Sequence, residues 1–337
     1  MFGFKRKAPA PPAPKTSAAV TSLTPAGQAE HILKRLEWTV IRRLDGLLQG
    51  DYRTLLRGTG LDLADLREYQ HNDDVRHIDW NVTARLNTPH VRVFTEDREM
   101  AAWFLLDLSP SIDFGSGEQR KLNVSAEFVA VLARLLTRHG NRVGALLYGS
   151  GVDAMIPARS GRRHVLHLLE SIRTQPSDAG AGVTRLHELL HSAANTIKRR
   201  STVFVVSDFI SEPGWEQPLA QLARRHEVVA VRLLDPLELE LPDLGLLTIR
   251  DVETGEQVLV DTHDSGFRKR FARIAAQREA DLRQSLAKAG VDALELSTDD
   301  DLAAAVMRFT EMRKRKSRMA TGGAPGNNLP AHLRQAA

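Results

Sequence analysis

Three short segments hold side chains whose types and order could do chemistry together. Asp107-Leu108-Ser109-Pro110-Ser111 sets one carboxylate and two hydroxyls at alternate positions. These are hard oxygen donors, suited to Mg²⁺ or Mn²⁺ and poorly suited to a soft metal. Asp208 follows a second apolar run, Thr202–Ser207, and would bring another carboxylate. Thr184 stands just before the helical segment 185–199 and would add a third hydroxyl, although Thr174 and Thr196 also lie between the two aspartates. A plainer role competes, in which Ser109 and Ser111 cap a helix and Asp107 is an ordinary loop acid. The order of the pieces, each at the expected end of its element, favours the metal site.

A different chemistry is spelled by His187-Glu188-Leu189-Leu190-His191, a literal His-Glu-x-x-His. On a helix the two histidines share a face, as a zinc hydrolase requires, with Glu188 as general base. A third ligand is needed, and the extended motif with Gly and a third His is missing after His191. Glu212 has a workable spacing, but a strand, Thr202–Ser207, intervenes where such proteases supply that Glu from a second helix. The pair therefore reads as a solvent-facing or flank pair, and so does His164 with His167.

The elements that must position these residues are legible as apolar runs. Ala102–Leu108, Val143–Tyr148, Thr202–Ser207, Val228–Leu234 and Ala293–Leu296 have strand length and strand composition. Between and after them lie segments of helical periodicity at 119–138, 162–173, 185–199, 215–225, 265–289 and 299–314. This alternation predicts an α/β fold, a doubly wound, mostly parallel sheet with helices on both faces, over residues 100–312. Ligands of such sheets bind where strands end at their carboxyl edge, which is where Asp107 and Asp208 fall. Residues 236–262, centred on Thr254-Gly255, read as an inserted hairpin. An amphipathic helix over 28–49 and a polar, irregular stretch over 51–100 precede the sheet, as an N-terminal extension spanning 28–99.

The chain has 337 residues and no cysteine, which excludes disulfides, a thiolate nucleophile and Cys-ligated metals. Its basicity is confined to the ends. Residues 1–30 carry +3 and residues 312–337 carry +6, so a formal net charge of +4 leaves −5 on residues 31–311. An acidic body argues against specific nucleic-acid binding, and 1–27 and 313–337 read as disordered basic tails. There is no apolar run long enough for a membrane span, and the N-terminus lacks the apolar segment of a secretory signal, so the expectation is a cytoplasmic protein.

The order Asp107-x-Ser109-x-Ser111, Thr184, Asp208 on such a sheet resembles the metal-ion-dependent adhesion site of von Willebrand factor A domains. The resemblance implies direct contacts to Mg²⁺ or Mn²⁺ from Ser109, Ser111 and Thr184, with Asp107 and Asp208 as outer or water-bridged carboxylates. It implies a site that binds protein, an acidic partner side chain completing the ion's shell, and breaks no bonds.

A more specific resemblance lies upstream. Gly58-x-Gly60, Leu66-Arg67-Glu68-Tyr69, Asp73-Asp74-x-Arg76, Ile78-Asp79-Trp80 and Ala84-Arg85 are similar to the signature of the bacterial family called domain of unknown function 58. Asn72 stands where that family usually has Gly, and Asn tolerates the left-handed backbone of such a turn. The resemblance spans about residues 45–310. It implies a von Willebrand A-like domain, association with MoxR-type AAA+ ATPases, and a part in the maturation of client proteins. Read from the residues themselves, the block is a salt-bridged latch that fastens to the α/β domain through Trp80. The expectation is thus a non-enzymatic, metal-dependent protein-binding module, against two alternatives: a zinc hydrolase and a metal-independent scaffold.

Overall fold

The computed structural model describes residues 25–42, 44, 65–70, 78–93, 101–117, 119–175, 183–250 and 257–320. Helix α1 (Pro25–Leu36) begins three residues before the expected start and runs into a π-helical turn at Glu37–Ile41. Ala29, Leu33, Leu36, Ile41 and Leu44 are buried, as helical spacing of the apolar residues requires. The stretch expected to be irregular contains a small unit: β1 (Asp65–Glu68), α2 (Trp80–Leu86) and β2 (His90–Val93), with β1 antiparallel to β2. Four-residue strands that mix charge with apolar residues, such as Asp-Leu-Arg-Glu, are too short to show a period. Asn72, Asp73, Asp74 and Arg76 lie outside the described residues.

The α/β domain follows: β3 (Ala101–Asp107), α3 (Lys121–Arg138), β4 (Arg142–Tyr148), β5 (Val152–Arg159), α4 (Arg162–Thr174), α5 (Leu186–Thr196), β6 (Thr202–Ser207), α6 (Glu216–Arg225) and β7 (Glu227–Leu234). After the short α7 (Pro236–Leu239) come β8 (Leu246–Arg250) and β9 (Gln257–Asp261), the expected hairpin. The chain then forms α8 (Ser265–Lys288), β10 (Asp292–Ser297) and α9 (Leu302–Ala320). The central sheet has the order β10-β7-β6-β3-β4-β5, parallel throughout except at β4–β5. This is the expected doubly wound, mostly parallel α/β architecture, with helices on both faces of the sheet. Strand β5 has no counterpart in the sequence reading. It is an edge strand with Ile156 as its one fully buried residue, so its sequence carries little apolar signal.

Side chains on β3 alternate between two cores. Ala102, Phe104 and Leu106 pack with α1, α3, α4 and α9, while Trp103 and Leu105 face α5, α6 and α8. Phe104 stacks on Phe204 of β6 with centroids 5.4 Å apart, and Phe128 of α3 meets Phe204 edge-on at 6.1 Å. Each such buried ring contributes about 1.5–3 kcal/mol. Gly144 answers Trp103 across the β3–β4 ladder, since a Cβ there would lie 2.9 Å from the indole ring.

The C-terminal boundary differs from the expected one. Helix α9 continues to Ala320, and Arg313, assigned by the sequence to a basic tail, is buried and paired with Glu227 and Asp292. Two acids close to its guanidinium make it part of the fold rather than a solvated charge.

Candidate metal-ion site

The order of the sheet reverses between β3 and β6, which therefore flank its switch point. Their register aligns Leu106 with Val206, so that Asp107 ends β3 beside Ser207, with Asp208 one residue beyond. Asp107 is fully buried. One of its oxygens accepts the Ser109 N–H at 3.0 Å, and the other accepts the Ser207 hydroxyl at 2.6 Å. The first bond folds the Asp-x-Ser-x-Ser segment into a tight turn. That turn sets the Ser109 and Ser111 hydroxyls 3.1 Å apart. Pro110 then opens a single 3₁₀ turn over Pro110–Asp113.

Asp208 is shaped by a parallel device. Its Oδ1 accepts the Ile210 N–H at 3.0 Å, and Ser207 Oγ accepts the Phe209 N–H at 2.9 Å. The two bonds hold Phe209 at φ +57°, a left-handed conformation rare for an aromatic residue. Its ring is secured against Trp215, 5.4 Å away. Thr184 is buried at the same edge, and its carbonyl accepts the Glu212 N–H at 2.9 Å and the Ser211 hydroxyl at 2.8 Å. The structure thus gathers Asp107, Ser109, Ser111 and Asp208, and ties the backbone of Thr184 to the loop that follows Asp208.

Two charged residues absent from the sequence reading complete the cluster. Lys121, the first residue of α3, is 1% exposed, and its Nζ lies 2.7 Å from Asp208 Oδ2 and 2.7 Å from Glu238 Oε1. Glu238 reaches it from α7, whose capping box with Asp235 fixes its second oxygen on the Asp235 N–H. Burial alone would lower the Lys121 ammonium, but the charges of Asp208 and Glu238 outweigh it and hold it above the ordinary lysine value. Burial, reinforced by the charge of Asp208, pushes the Asp107 carboxyl up to about 6. Two acids meet the ammonium and Asp107 lies close enough to feel the charge of Asp208, so with all three carboxyls ionised they outnumber Lys121 by two charges.

These residues fit a hard divalent ion. Two hydroxyl oxygens 3.1 Å apart match neighbouring ligands of an octahedral ion, which at metal–oxygen distances of about 2.0–2.1 Å are separated by roughly 3 Å. Ser109 and Ser111 could hold it directly. Both Asp107 oxygens already accept hydrogen bonds, as an outer carboxylate would.

The His-Glu-x-x-His segment lies on α5 as expected, with its imidazole rings 6.5 Å apart and nearly perpendicular. Its acids turn elsewhere: Glu212 lies 3.3 Å and Glu188 3.7 Å from the Arg185 guanidinium. Among the described residues no three His, Asp or Glu side chains converge as metal ligands. His164 Nε2 lies 2.7 Å from the Val143 carbonyl oxygen, as in a structural histidine. Upstream, Asp79 caps α2 through the Val82 N–H, and Trp80 is 70% exposed. The exposure overturns the expected latch, because an indole so largely in solvent buries little area with which to fasten the unit.

The chain is similar to proteins of mycobacteria. It is 39% identical over 284 residues to the uncharacterized protein Mb1516 of Mycobacterium bovis and, equally, to the uncharacterized protein Rv1480 of Mycobacterium tuberculosis, covering 84% of this chain and 89% of each relative. Among solved structures, an aerotolerance-related membrane protein from Bacteroides fragilis aligns at 12% identity and a TM-score of 0.42, over 64% of this chain and 99% of that one. The conserved hypothetical protein BatB from Bacteroides thetaiotaomicron aligns at 18% identity and 0.43, over 65% and 99%. Among the described residues of the present chain, no helix is long and apolar enough to cross a membrane. The family model described as "Protein of unknown function DUF58" matches residues 65–281, from β1 through most of α8, and the chain belongs to that family.

Proposed function

We propose that this protein is a non-enzymatic, divalent-metal-dependent protein-binding module. Ser109, Ser111 and Thr184 would hold Mg²⁺ or Mn²⁺, with Asp107 and Asp208 behind them. The ion, when bound, supplies a positive docking point for an acidic side chain of another protein. The partner in this reading is a MoxR-type AAA+ ATPase, with client proteins whose assembly or maturation the pair assists. Support for the partner comes from the family resemblance, and support for the site comes from its geometry.

The observation that carries the reading is the pairing of two hydroxyls at ligand spacing with a buried cluster short of two positive charges. Calorimetric titration of the full chain with Mn²⁺ tests it. Ser109→Ala should bind Mn²⁺ at least ~10-fold more weakly than the wild type while keeping its circular dichroism. Equal affinity in the two proteins would overturn the site, and binding to the ATPase that survives a chelator would overturn its use.

Lys121 favours one second reading. Its ammonium already sits between two carboxylates of the site, so a scaffold with an internal cation and no metal dependence is also built from these residues. That reading requires that neither Mg²⁺ nor Mn²⁺ changes the protein's stability.

A further inference from the structure

Lys121 is in an unfavourable place by local rules. The first turn of a helix concentrates positive partial charge, and acids, not lysines, are stabilised there. The side chain is also buried, which costs free energy unless the charge is matched. Both penalties are accepted at a position that delivers an ammonium to Asp208 and Glu238 at 2.7 Å each. The Phe114 ring lies 5.8 Å from the same nitrogen and encloses it further.

We infer that Lys121 is a built-in competitor of the metal ion, which shares Asp208 with it and keeps the metal affinity of the site low. The inference rests on the metal-site reading above. Asp208 has two oxygens, one given to the Ile210 N–H and the other to Lys121. Each of these oxygens has a further lone pair, but the ammonium at 2.7 Å lowers the donor strength of the whole carboxylate and repels a second cation, so a divalent ion that draws on Asp208, directly or through water, competes with Lys121. Glu238 gives the ammonium somewhere to stay when it yields: its other oxygen is fixed by the capping box, and the bond to Lys121 does not depend on Asp208.

Charge explains what such a competitor accomplishes. Counting Asp107, Asp208 and Glu238 against Lys121 gives −2, which a bound divalent ion cancels; Asp235 stands outside this count because its carboxylate is met by hydrogen bonds from Ser116, Leu237 and Thr298. A neutral loaded site accepts an incoming carboxylate without repulsion from surplus buried acids. Without Lys121 the loaded site would stay at −1, holding the ion more tightly and welcoming an acidic ligand less. Lys121 therefore trades metal affinity for the ability to bind an anion at the metal.

Mn²⁺ titration of the full chain, followed by paramagnetic resonance, tests the inference in two variants. Lys121→Met removes the competitor. Lys121→Met combined with Glu238→Gln removes it while keeping the net charge at −2, and leaves no unmatched Glu238 to disturb folding. Both should bind Mn²⁺ more tightly than the wild type, the single variant by at least ~10-fold, since a unit charge within several ångströms of the ion is removed from a buried site. Should the single variant not fold, the double variant decides. Ser109→Ala in either background should abolish the gain. Unchanged or weaker binding in the variants, with Ser109-dependent binding in the wild type, overturns the competitor and leaves the metal site standing. Absence of Ser109-dependent binding in every protein overturns both.

Discussion

Two sets of buried charge in this molecule follow opposite rules. On the α8 side of the sheet, Arg232 of β7 pairs with Glu279 of α8, both nearly inaccessible, with the exposed Arg283 at the edge of reach, so that no acid there lacks a cation. At the carboxyl edge, Lys121 faces Asp208 and Glu238 with Asp107 close behind, one cation to three acids. The first set is balanced and sealed beneath a long helix. The second is unbalanced and lies at the switch point of the sheet, beside two hydroxyls. Balance is what a structural ion pair needs, because an unmatched buried charge is costly. A cluster left short of positive charge is what the proposed metal site requires.

Removing the basic partner should separate the two sets most strongly. Arg232→Met leaves Glu279 buried, with the exposed Arg283 4.0 Å away as its remaining counter-charge. The expected loss is about 3–5 kcal/mol in urea denaturation, with no recovery on adding Mg²⁺ or Mn²⁺. Pairing it with Glu279→Leu should return most of that loss. Recovery of Arg232→Met by either metal would mean that the balanced pair also belongs to an ion site, and the distinction would fail.

A second difference concerns pH. Asp107 carries a folded-state value of about 6, raised from 3.8 by burial and by Asp208. The fold therefore disfavours the ionised form, so the stabilising contribution is complete below about pH 4 and is lost as pH rises through 6. Asp235, at the same edge, behaves with the opposite sign. Burial pushes its carboxyl up, but hydrogen bonds from Ser116, Thr298 and Leu237 prevail and hold it below its usual value. Asp235 thus stabilises the fold above about pH 4 and ceases to do so in stronger acid. In chelator at about pH 7.5, Asp107→Asn should stabilise the protein by ~1–3 kcal/mol, with the gain vanishing near pH 4. The same variant should lose Mn²⁺ binding. A loss of stability at neutral pH would make Asp107 a structural acid like Asp235.

What the sequence discloses follows from how much apolar signal each element needs. Strands β3 and β6 are buried on both faces, so Trp103–Leu106 and Val203–Val206 stand out as continuous apolar runs, and the aspartates that follow them were placed with the strands. Edge strand β5 buries a single residue, and β1 and β2, at four residues each, are too short to show a period. Within the site, Asp107, Ser109, Ser111 and Asp208 were legible because a short spacing or a strand end marks each one. Ser207, Lys121 and Glu238 were not, because register and the packing of α3 and α7 bring them to partners 87 to 117 positions away in the chain. One local signal did exist for Lys121, a lysine in the first turn of a helix where the dipole prefers an acid. The basic run at 313–318 misled for the converse reason: its charge suggested solvent, while Arg313 is matched by Glu227 and Asp292.

The smallest expected effect is at the residue that looked most structural. Trp80 follows Asp79 in the most specific segment of the chain, yet their roles divide sharply. Asp79 is buried, its N–H donates to the His90 carbonyl at 2.8 Å, and its carboxylate accepts the Val82 N–H at 3.2 Å. It joins α2 to β2, and Asp79→Ala should cost about 1 kcal/mol as a lost cap. Trp80 buries little, so Trp80→Ala should move stability by no more than about 0.5 kcal/mol. Urea denaturation of the two variants measures the contrast. A loss above about 2 kcal/mol for Trp80→Ala would restore the latch, since only a buried indole could account for it. A null result leaves a large aromatic side chain retained on the surface, outside the charge arithmetic of both buried sets.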